Sequence, residues 1–174
     1  VLVFLLIVPM LLVMFAVRFS SKGPVLYWSK RIGSMSNEQL SLINRADKLT
    51  FLMPKYRTML VDTPAVATNL LVDPDRFLTP IGGFLRKSSL DEMPQLWSIL
   101  KGDMSFVGPR PALFNQDDLI ALRTEKGVDW LIPGLTGWAQ VNGRDELLIL
   151  EKVDLDVEYM ERQSFLFDMK ILWL

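Results

Sequence analysis

The 174-residue chain contains no cysteine and no histidine. Without cysteine it can form neither a disulfide framework nor a thiolate metal site. Without histidine it cannot build a Ser-His-Asp triad, a histidine zinc site or an imidazole general base. Any catalysis must therefore rest on carboxylates, lysine, tyrosine, hydroxyl groups or a hard cation such as Mg²⁺ held by oxygen ligands.

An excess of charge of either sign is also missing. The 19 lysines and arginines face 20 aspartates and glutamates, so the formal net charge is −1. Proteins that bind nucleic acid carry a basic excess to neutralise phosphates, so we expect no nucleic-acid partner. Neither standard glycine-rich phosphate loop occurs, which argues against nucleotide binding by that route. Apolar residues make up 50% of the chain. Its length suffices for one domain.

An uninterrupted apolar run occupies residues 1–17, with Pro9 at its centre. As a helix it would be about 25 Å long, a little short of the roughly 20 residues that span a bilayer. The proline removes a backbone hydrogen bond and kinks a helix. Two interpretations therefore stay open: a spanning helix, which the run alone favours, and a re-entrant helix that enters and leaves by one face. Basic residues follow, at Arg18, Lys22, Lys30 and Arg31, and predict a cytoplasmic location for the next domain.

The rest of the chain alternates between strand-like and helical patterns. Strands are predicted at 24–33 and 50–59, with Pro54 at an edge or a bend. A short apolar strand is predicted within 102–111, and WAQV at 138–141 is strand-like. Helices are predicted at 80–87, 94–101, 115–127 and 151–163. Residues 34–49 are predicted to form a surface helix or a loop insertion, and 165–174 are apolar and aromatic enough to lie on a membrane surface.

Asp91 and Glu92 form the strongest local feature, at the start of a predicted helix where Ser89 and Glu92 have capping-box spacing. Two carboxylates there commonly just match the helix macrodipole. A functional interpretation is also open, because helix N–H groups can hold a phosphate beside them. Adjacent like charges also separate the two pKa values, and a carboxylate-bound Mg²⁺ would allow approach to a pyrophosphate.

A second feature is a set of cations beside turns and prolines, namely Lys55, Arg57, Arg86, Arg110 and Arg144. Arginine forks match phosphate oxygens, and strand geometry would place Lys55 and Arg57 on one face. Taken alone, each is more commonly a solvated surface charge. A third set could bind a sugar, a base or a metal, or could be ordinary turn and helix-surface residues: Gln140, Asn142, Asp154 and Asp156.

Three long motifs stand out: KYRTM at 55–59, SLDEMPQL at 89–96 and KGDMSFVGPRP at 101–111. PGLTG at 133–137 and QVNGR at 140–144 follow in order. Together they resemble the bacterial sugar transferase family, the small monotopic phosphoglycosyl transferases that start glycan assembly. The resemblance runs from the apolar N-terminal segment to the C-terminus, and motifs of this length are highly specific.

The resemblance implies transfer of a sugar-1-phosphate from a UDP-sugar to polyprenyl (undecaprenyl) phosphate, with release of UMP. Asp91 would be the nucleophile and the Mg²⁺ ligand, forming a covalent phosphosugar-enzyme. Glu92 would then assist the polyprenyl phosphate. A phosphate monoester with a second pKa near ~6 is mostly dianionic already, so Glu92 would position it more than deprotonate it. Arg110 and Asp156 match positions that the family uses around its active site. With the candidates taken from the residues themselves, the predicted substrate-binding set is Lys55, Arg57, Arg86, Arg110, Gln140, Asn142, Arg144 and Asp156.

The resemblance also implies a fold and a location. The fold would be a non-Rossmann α/β (mixed α+β) unit with membrane-surface amphipathic helices. Residues 1–19 would form a re-entrant membrane helix broken at Pro9, which reverses the preference for a spanning helix. Residues 20–174 would form a catalytic domain at the cytoplasmic face of the bacterial inner membrane. The lipid bilayer would be a partner, and the aromatic C-terminal segment leaves room for a homodimer.

The sequence departs from the family pattern in places. Val8 precedes Pro9 where serine is usual, the 34–49 insertion is long, and residues 147–150 are unusually apolar. Because Val1 and Leu174 lie inside apolar stretches, we expect a longer parent protein. Two alternatives remain: an inactive scaffold of the same fold, which the intact carboxylates argue against, and a Mg²⁺-dependent nucleotide-sugar hydrolase, which would need no polyprenyl phosphate.

Overall fold

The computed structural model describes residues 2–34, 50–64, 71–143 and 146–174. Arg144 and residues 35–49 of the predicted insertion lie outside this range. The helices of the described ranges are α1 Leu2–Ser20, α2 Gly82–Lys87, α3 Leu96–Lys101, α4 Asp117–Lys126, α5 Trp138–Val141, α6 Ile149–Arg162 and α7 Phe165–Trp173. The strands are β1 Leu26–Ile32, β2 Thr50–Tyr56, β3 Ser105–Val107 and β4 Gly134–Thr136, and 3₁₀ segments occupy Pro74–Phe77, Leu90–Gln95 and Val128–Trp130.

The described strands form two small sheets rather than one doubly wound sheet. β1 pairs with β2, and β3 pairs with β4 in parallel. This confirms a mixed α/β fold. The chain divides into two compact units: the first unit is Val1–Ser29 with Met53–Trp97, and the second unit is Lys30–Leu52 with Ser98–Leu174. The division into residues 1–19 and 20–174 stays a prediction.

The first unit is built around α1, which runs without interruption through Pro9. Val13 and Val17, one helical turn apart, are buried against Tyr56 of β2 and Leu85 of α2. The i, i+4 spacing gives α1 one packed stripe in its second half, and its other described side chains there are largely exposed. Among the described residues, no helix combines the length and the apolarity needed to cross a membrane.

The predicted catalytic segment of the first unit starts differently from its capping-box prediction. Ser89 has a left-handed backbone with φ of 56°, and its side chain makes no capping hydrogen bond. An N-cap serine needs extended backbone to reach the free N–H groups, so the capping-box prediction was wrong. Leu90–Gln95 is a 3₁₀ turn that leads directly into α3. The helix ends at Lys101, and the next residue is Gly102, whose φ of 84° suits glycine.

The second unit begins with a close approach between two backbones. In the parallel pairing of β3 with β4, Ser105 lies opposite Gly134, and a Cβ added at Gly134 would lie 2.1 Å from the N of Gly108. The predicted strand at 138–141 was wrong, because these residues form the one-turn helix α5. Its turn is closed by hydrogen bonds from the N–H groups of Gln140 and Val141 to the carbonyl of Gly137.

Helices α4, α6 and α7 supply the packing of the second unit. One apolar cluster joins Ile32 of β1 to α4 and to Val153 of α6. A second joins β3 to α6 and to Phe167 and Ile171 of α7. The remaining apolar side chains of α7 are exposed, at Phe165, Leu166, Met169, Leu172 and Trp173. That these side chains lie on a membrane surface stays a prediction.

Candidate active site

Asp91 and Glu92 lie in the first turn of the 3₁₀ segment in the first unit. Asp91 is only 7% exposed. The side chains on either side of the pair, Leu90 and Met93, pack against the apolar cluster of Val13, Val17, Tyr56 and Leu85. This packing holds the carboxylate of Asp91 at the edge of the core, largely removed from water.

Burial dominates the electrostatics of Asp91 and raises the pKa of its carboxyl above the usual value. The positive charge of Lys55 opposes this shift, the negative charge of Glu92 adds to it, and Arg86 and a backbone hydrogen bond again lower the pKa. The structure therefore brings together four of the residues that the sequence singled out. An aspartate that is partly desolvated and flanked by two cations has the environment expected of a functional carboxylate.

Lys55 and Glu92 form the central ion pair of this cluster, with 2.8 Å between Lys55 Nζ and Glu92 Oε1. Their side chains are 15% and 18% exposed, so the pair is mostly shielded from solvent. Lys55 belongs to β2 and Glu92 to the 3₁₀ segment, so the pair joins two elements that are 37 residues apart in sequence. Glu92 is held by an ion pair instead of closing a capping box.

Arg86 and Arg57 have different surroundings. Arg86 Nε donates to Thr58 Oγ1 at 3.0 Å, and the residue is partly exposed beside Asp91. The guanidinium of Arg57 is buried and donates to three backbone carbonyls: those of Pro24 at 2.7 Å, Ser21 at 3.0 Å and Met59 at 3.5 Å. These contacts give Arg57 a structural function. Substrate binding by Arg57 and Arg86 stays a prediction.

Asp156 and Arg110 belong to the second unit, where a buried arginine holds both. Arg123 donates from Nε and Nη2 to Asp156 Oδ2, at 3.0 and 2.6 Å, and from Nη1 to the carbonyl of Arg110 at 2.8 Å. Burial raises the pKa of Asp156, and the charge and hydrogen bonds of Arg123 oppose that shift. Asp156 is therefore engaged by a neighbouring side chain, and its part in substrate binding stays a prediction.

Gln140 and Asn142 lie in and just after α5. Gln140 Nε2 donates to the carbonyl of Leu135 at 3.4 Å, while its Oε1 is buried and has no hydrogen-bond partner in the described structure. Asn142 is exposed, and its Nδ2 donates to the carbonyl of Trp138 at 2.8 Å. Asp154 is exposed on α6. Arg144 lies outside the described residues.

Two residues in these networks, Arg123 and Tyr56, were not singled out from the sequence. The signal for Arg123 was present, since i, i+3 and i+4 spacing places it on the face of α4 that carries Leu119 and Ile120. A charge on an apolar face calls for a buried partner. Tyr56 carries no such signal, because an aromatic residue in a strand is ordinary.

Two carboxylates with nearby cations can attack or hold a phosphate group. In the described ranges no three acidic residues cluster in a way that could hold a metal ion. Mg²⁺ does not need such a cage, since it commonly takes one or two carboxylates together with substrate phosphates and water. The donor chemistry at Asp91 therefore suits Mg²⁺ in company with a phosphate ligand.

Known proteins resemble this chain along its whole length. An uncharacterized sugar transferase, EpsL of Bacillus subtilis (strain 168), is 48% identical over 126 residues, covering 71% of this chain and 60% of that protein. The UDP-glucose:undecaprenyl-phosphate glucose-1-phosphate transferase of Escherichia coli (strain K12) is 36% identical over 181 residues, covering 99% of this chain and 36% of that protein. The exopolysaccharide production protein ExoY of Rhizobium meliloti (strain 1021) is 34% identical over 180 residues, covering 94% of this chain and 73% of that protein.

The chain thus spans less than two thirds of the length of the first two relatives. The motifs that contain Asp91, Glu92 and Lys55 lie within the residues that a protein-family model matches. The model of the bacterial sugar transferase family matches residues 1–174, and the chain belongs to that family.

Proposed function

We propose that this chain transfers a sugar-1-phosphate from a UDP-sugar to undecaprenyl phosphate through a covalent intermediate on Asp91. The observation that carries the proposal is the buried carboxylate of Asp91, held beside Lys55, Glu92 and Arg86. Relatives named for glucose-1-phosphate transfer to undecaprenyl phosphate give the substrate classes. Exopolysaccharide synthesis, in which the relative ExoY is named, is the pathway that we propose.

In the first half-reaction, an oxygen of Asp91 forms a bond to the β-phosphorus of the UDP-sugar. The bond between that phosphorus and the oxygen bridging to the α-phosphate breaks, and UMP leaves with the bridging oxygen. Burial disfavours the negative charge of Asp91 before attack, and partial desolvation of a carboxylate makes it a better nucleophile once the donor is bound. Lys55 and Arg86 supply positive charge that keeps enough of the carboxyl ionised.

In the second half-reaction, an oxygen of undecaprenyl phosphate forms a bond to the phosphorus of the aspartyl-phosphosugar. The bond from that phosphorus to the Asp91 oxygen breaks, which regenerates the carboxylate and yields the undecaprenyl diphosphate sugar. Glu92 orients the incoming phosphate, and Lys55 fixes Glu92 from 2.8 Å. An acceptor phosphate that is mostly dianionic at neutral pH needs placement more than proton removal.

Mg²⁺ fits this site, where Asp91 and the donor diphosphate would be its ligands. The fit rests on the donor set, in which one carboxylate lies beside a second that is already paired with lysine. When bound, Mg²⁺ would neutralise charge on the diphosphate and so favour UMP as a leaving group.

The location that we propose is the cytoplasmic face of the bacterial inner membrane, with α1 as a re-entrant helix that is bent at Pro9 rather than interrupted there. The support is an apolar helix that carries a proline at its centre and a basic flank that starts at Arg18. The exposed apolar residues of α7 would rest on the same bilayer surface. A homodimer stays a prediction from the aromatic C-terminal segment.

The test is the intact mass of the purified full chain after mixing with Mg²⁺ and a panel of UDP-sugars, without lipid acceptor. We expect a sugar-phosphate adduct with at least one donor, and its disappearance when undecaprenyl phosphate is added. Asp91→Asn should form no adduct. Asp118→Asn is a matched control, because Asp118 is an exposed aspartate in the first turn of α4.

Two outcomes would overturn the covalent proposal. A folded protein that binds UDP-sugars but forms no adduct with any of them would favour the inactive scaffold. Steady release of UMP without undecaprenyl phosphate would identify the hydrolase.

A further inference from the structure

Four consecutive residues, Lys55 to Thr58, span the end of β2 and the two positions after it, and they contact separate parts of the first unit. Lys55 Nζ binds Glu92 of the 3₁₀ segment at 2.8 Å. The carbonyl of Thr58 accepts a hydrogen bond from the N–H of Thr79 at 2.9 Å, and its hydroxyl accepts one from Arg86 at 3.0 Å. Residues 55–58 therefore connect both carboxylate-bearing and cation-bearing elements of the site.

The two middle residues of this stretch hold α1. The buried hydroxyl of Tyr56 donates to the carbonyl of Met10 at 2.7 Å, and Arg57 donates to the carbonyl of Ser21 at 3.0 Å. The first contact lies in the middle of α1 and the second lies just past its end. The end of the strand that carries Lys55 is thus hydrogen-bonded to α1 and to the residue after it, at two points more than two turns apart.

The contact at Met10 falls next to the proline of α1. Pro9 has no N–H, so it leaves one carbonyl of the preceding turn without its helical partner, and its ring presses on that turn. The Tyr56 hydroxyl binds the carbonyl of the very next residue. A hydrogen bond to Met10 therefore restrains α1 one residue after the proline, in the turn that follows the missing bond.

Tyr56 and Lys55 are neighbours in a strand, so their side chains leave opposite faces of β2. Tyr56 is 5% exposed and packs in the apolar cluster with Val13 and Leu85, while Lys55 lies with Glu92. Tyr56 therefore acts on the ion pair through the backbone that the two residues share.

We propose that Tyr56 is a positioning residue, whose hydroxyl holds β2 to α1 beside Pro9 and thereby places Lys55 against Glu92. The inference rests on the proposed function for its catalytic consequence, because Asp91 and Glu92 are the reacting pair there. Misplacement of a catalytic group by about 1 Å can slow a reaction by up to about a hundredfold, so one hydroxyl at the far side of the strand can affect turnover.

The kinetic test compares Tyr56→Phe with Tyr159→Phe in the full chain. Both changes remove a buried tyrosine hydroxyl and keep the ring. The control loses hydrogen bonds to Asp168 at 2.9 Å and to the carbonyl of Val107 at 3.4 Å, all within the second unit. In Tyr56→Phe we expect adduct formation at saturating UDP-sugar to slow by about fivefold, the ratio that a hydrogen bond of ordinary net strength represents. The half-saturating donor concentration should stay within about twofold.

The control Tyr159→Phe should keep its rate constant for adduct formation, even if its melting temperature falls as far as that of Tyr56→Phe. Combining Tyr56→Phe with Lys55→Met should slow the reaction no further than Lys55→Met alone, since Tyr56 acts through Lys55. Additive losses, or an unchanged rate in folded Tyr56→Phe, would overturn the proposal. An unfolded Tyr56→Phe protein would also overturn it, because the hydroxyl would then serve the fold as a whole.

Amide hydrogen exchange supplies a readout that does not depend on activity. In Tyr56→Phe we expect faster exchange both in α1 and in Leu90–Gln95, with no such change in Tyr159→Phe. Faster exchange confined to α1 would make Tyr56 a local anchor and would refute the coupling. If the wild-type chain forms no adduct with any donor, the proposed function fails, and the exchange pattern still decides whether Tyr56 couples the helix to the site.

Discussion

Severing the ion pair between Lys55 and Glu92 should cost more than its single contact suggests, because the pair is largely shielded from water. Lys55→Met removes the ammonium group and keeps most of the aliphatic length. The partner carboxylate of Glu92 then loses a contact of 2.8 Å at 18% exposure. A partly buried carboxylate that loses its cation must either recover water or take up a proton.

The expected loss of unfolding free energy follows from comparing this pair with exposed pairs and with fully buried pairs. At 2.8 Å and an effective dielectric constant of about 20, the Coulomb attraction is about 6 kcal/mol before desolvation is subtracted. Exposed pairs contribute about 0–1 kcal/mol, and breaking a fully buried pair costs about 3–5 kcal/mol. We therefore expect Lys55→Met to lose about 2–3 kcal/mol of unfolding free energy, a fall in melting temperature of about 4–12 °C for a domain of this size.

The assay is a double-mutant cycle in denaturant unfolding, with Lys55→Met, Glu92→Gln and the double variant. Because the double variant leaves no unpaired charge, it should cost about 1–2 kcal/mol less than the sum of the single changes. The chain offers a matched control in Lys101 and Asp103, whose Nζ–Oδ2 distance is also 2.8 Å but whose side chains are 52% and 25% exposed. Lys101→Met should cost no more than about 1 kcal/mol.

Two results would refute this reasoning. Equal costs for Lys55→Met and Lys101→Met would mean that burial does not set the strength of these pairs. Strictly additive costs in the cycle would mean that Lys55 and Glu92 do not act on each other in the folded protein.

Three further predictions concern the second unit. Arg123→Met, which removes the cation bound to the buried carboxylate of Asp156, should lower the unfolding free energy by about 3–5 kcal/mol in a denaturant titration, and an unchanged midpoint would contradict this. A hydrogen bond from the Trp138 indole is the main cause that lowers the pKa of Glu158 below its ordinary value of 4.5. Such a carboxyl stabilises the fold above its unfolded pKa and loses that contribution as the pH falls through its folded pKa. Trp138→Phe also changes the ring packing against Phe167, so its loss of stability should be largest at neutral pH and should fall to a pH-independent remainder in strong acid, as melting curves across pH would show. Gly134→Ala would place a Cβ 2.1 Å from a backbone nitrogen, and we expect this variant to lose its cooperative unfolding transition in circular dichroism.

Several helix bounds could be predicted because their signals are local. Gly102 was predicted to stop the helix at 94–101, and the helix predicted at 115–127 ended at Gly127. The two glycines have φ of 84° and 72°, a left-handed conformation that glycine takes without strain. The helix predicted for residues 151–163 is α6 at Ile149–Arg162, two residues longer at its start and one shorter at its end. In these cases, information within about four residues decided the structure.

Two local predictions failed where longer-range structure decided. The 138–141 segment has strand-like residues, but the extended backbone of Gly137 redirects the chain and its carbonyl accepts the hydrogen bonds of a helical turn. Ser89 has the identity and spacing of a cap, but its left-handed backbone turns the side chain away from the N–H groups that it would cap. Sequence spacing specifies which groups are available and leaves backbone direction to the surrounding fold.

The candidate site was predictable in its carboxylates and only partly in its cations. The sequence grouped Lys55 and Arg57 as phosphate-binding charges on one strand face. In the structure Lys55 forms an ion pair with Glu92, and Arg57 donates hydrogen bonds to the carbonyls of Ser21 and Pro24. No local pattern separates these two outcomes, because each depends on a partner 33 to 37 residues away.

The comparison of two buried aspartates shows why Asp91 is the better candidate for chemistry. Burial raises the pKa of both Asp91 and Asp156. The carboxylate of Asp156 is already engaged, since Arg123 donates two hydrogen bonds to one of its oxygens. Asp91 receives charge stabilisation from Lys55 and Arg86 without a side-chain hydrogen bond among the causes of its shift. The oxygens of Asp91 are therefore the ones that we propose for metal binding or attack on a phosphate, while the carboxylate of Asp156 binds Arg123.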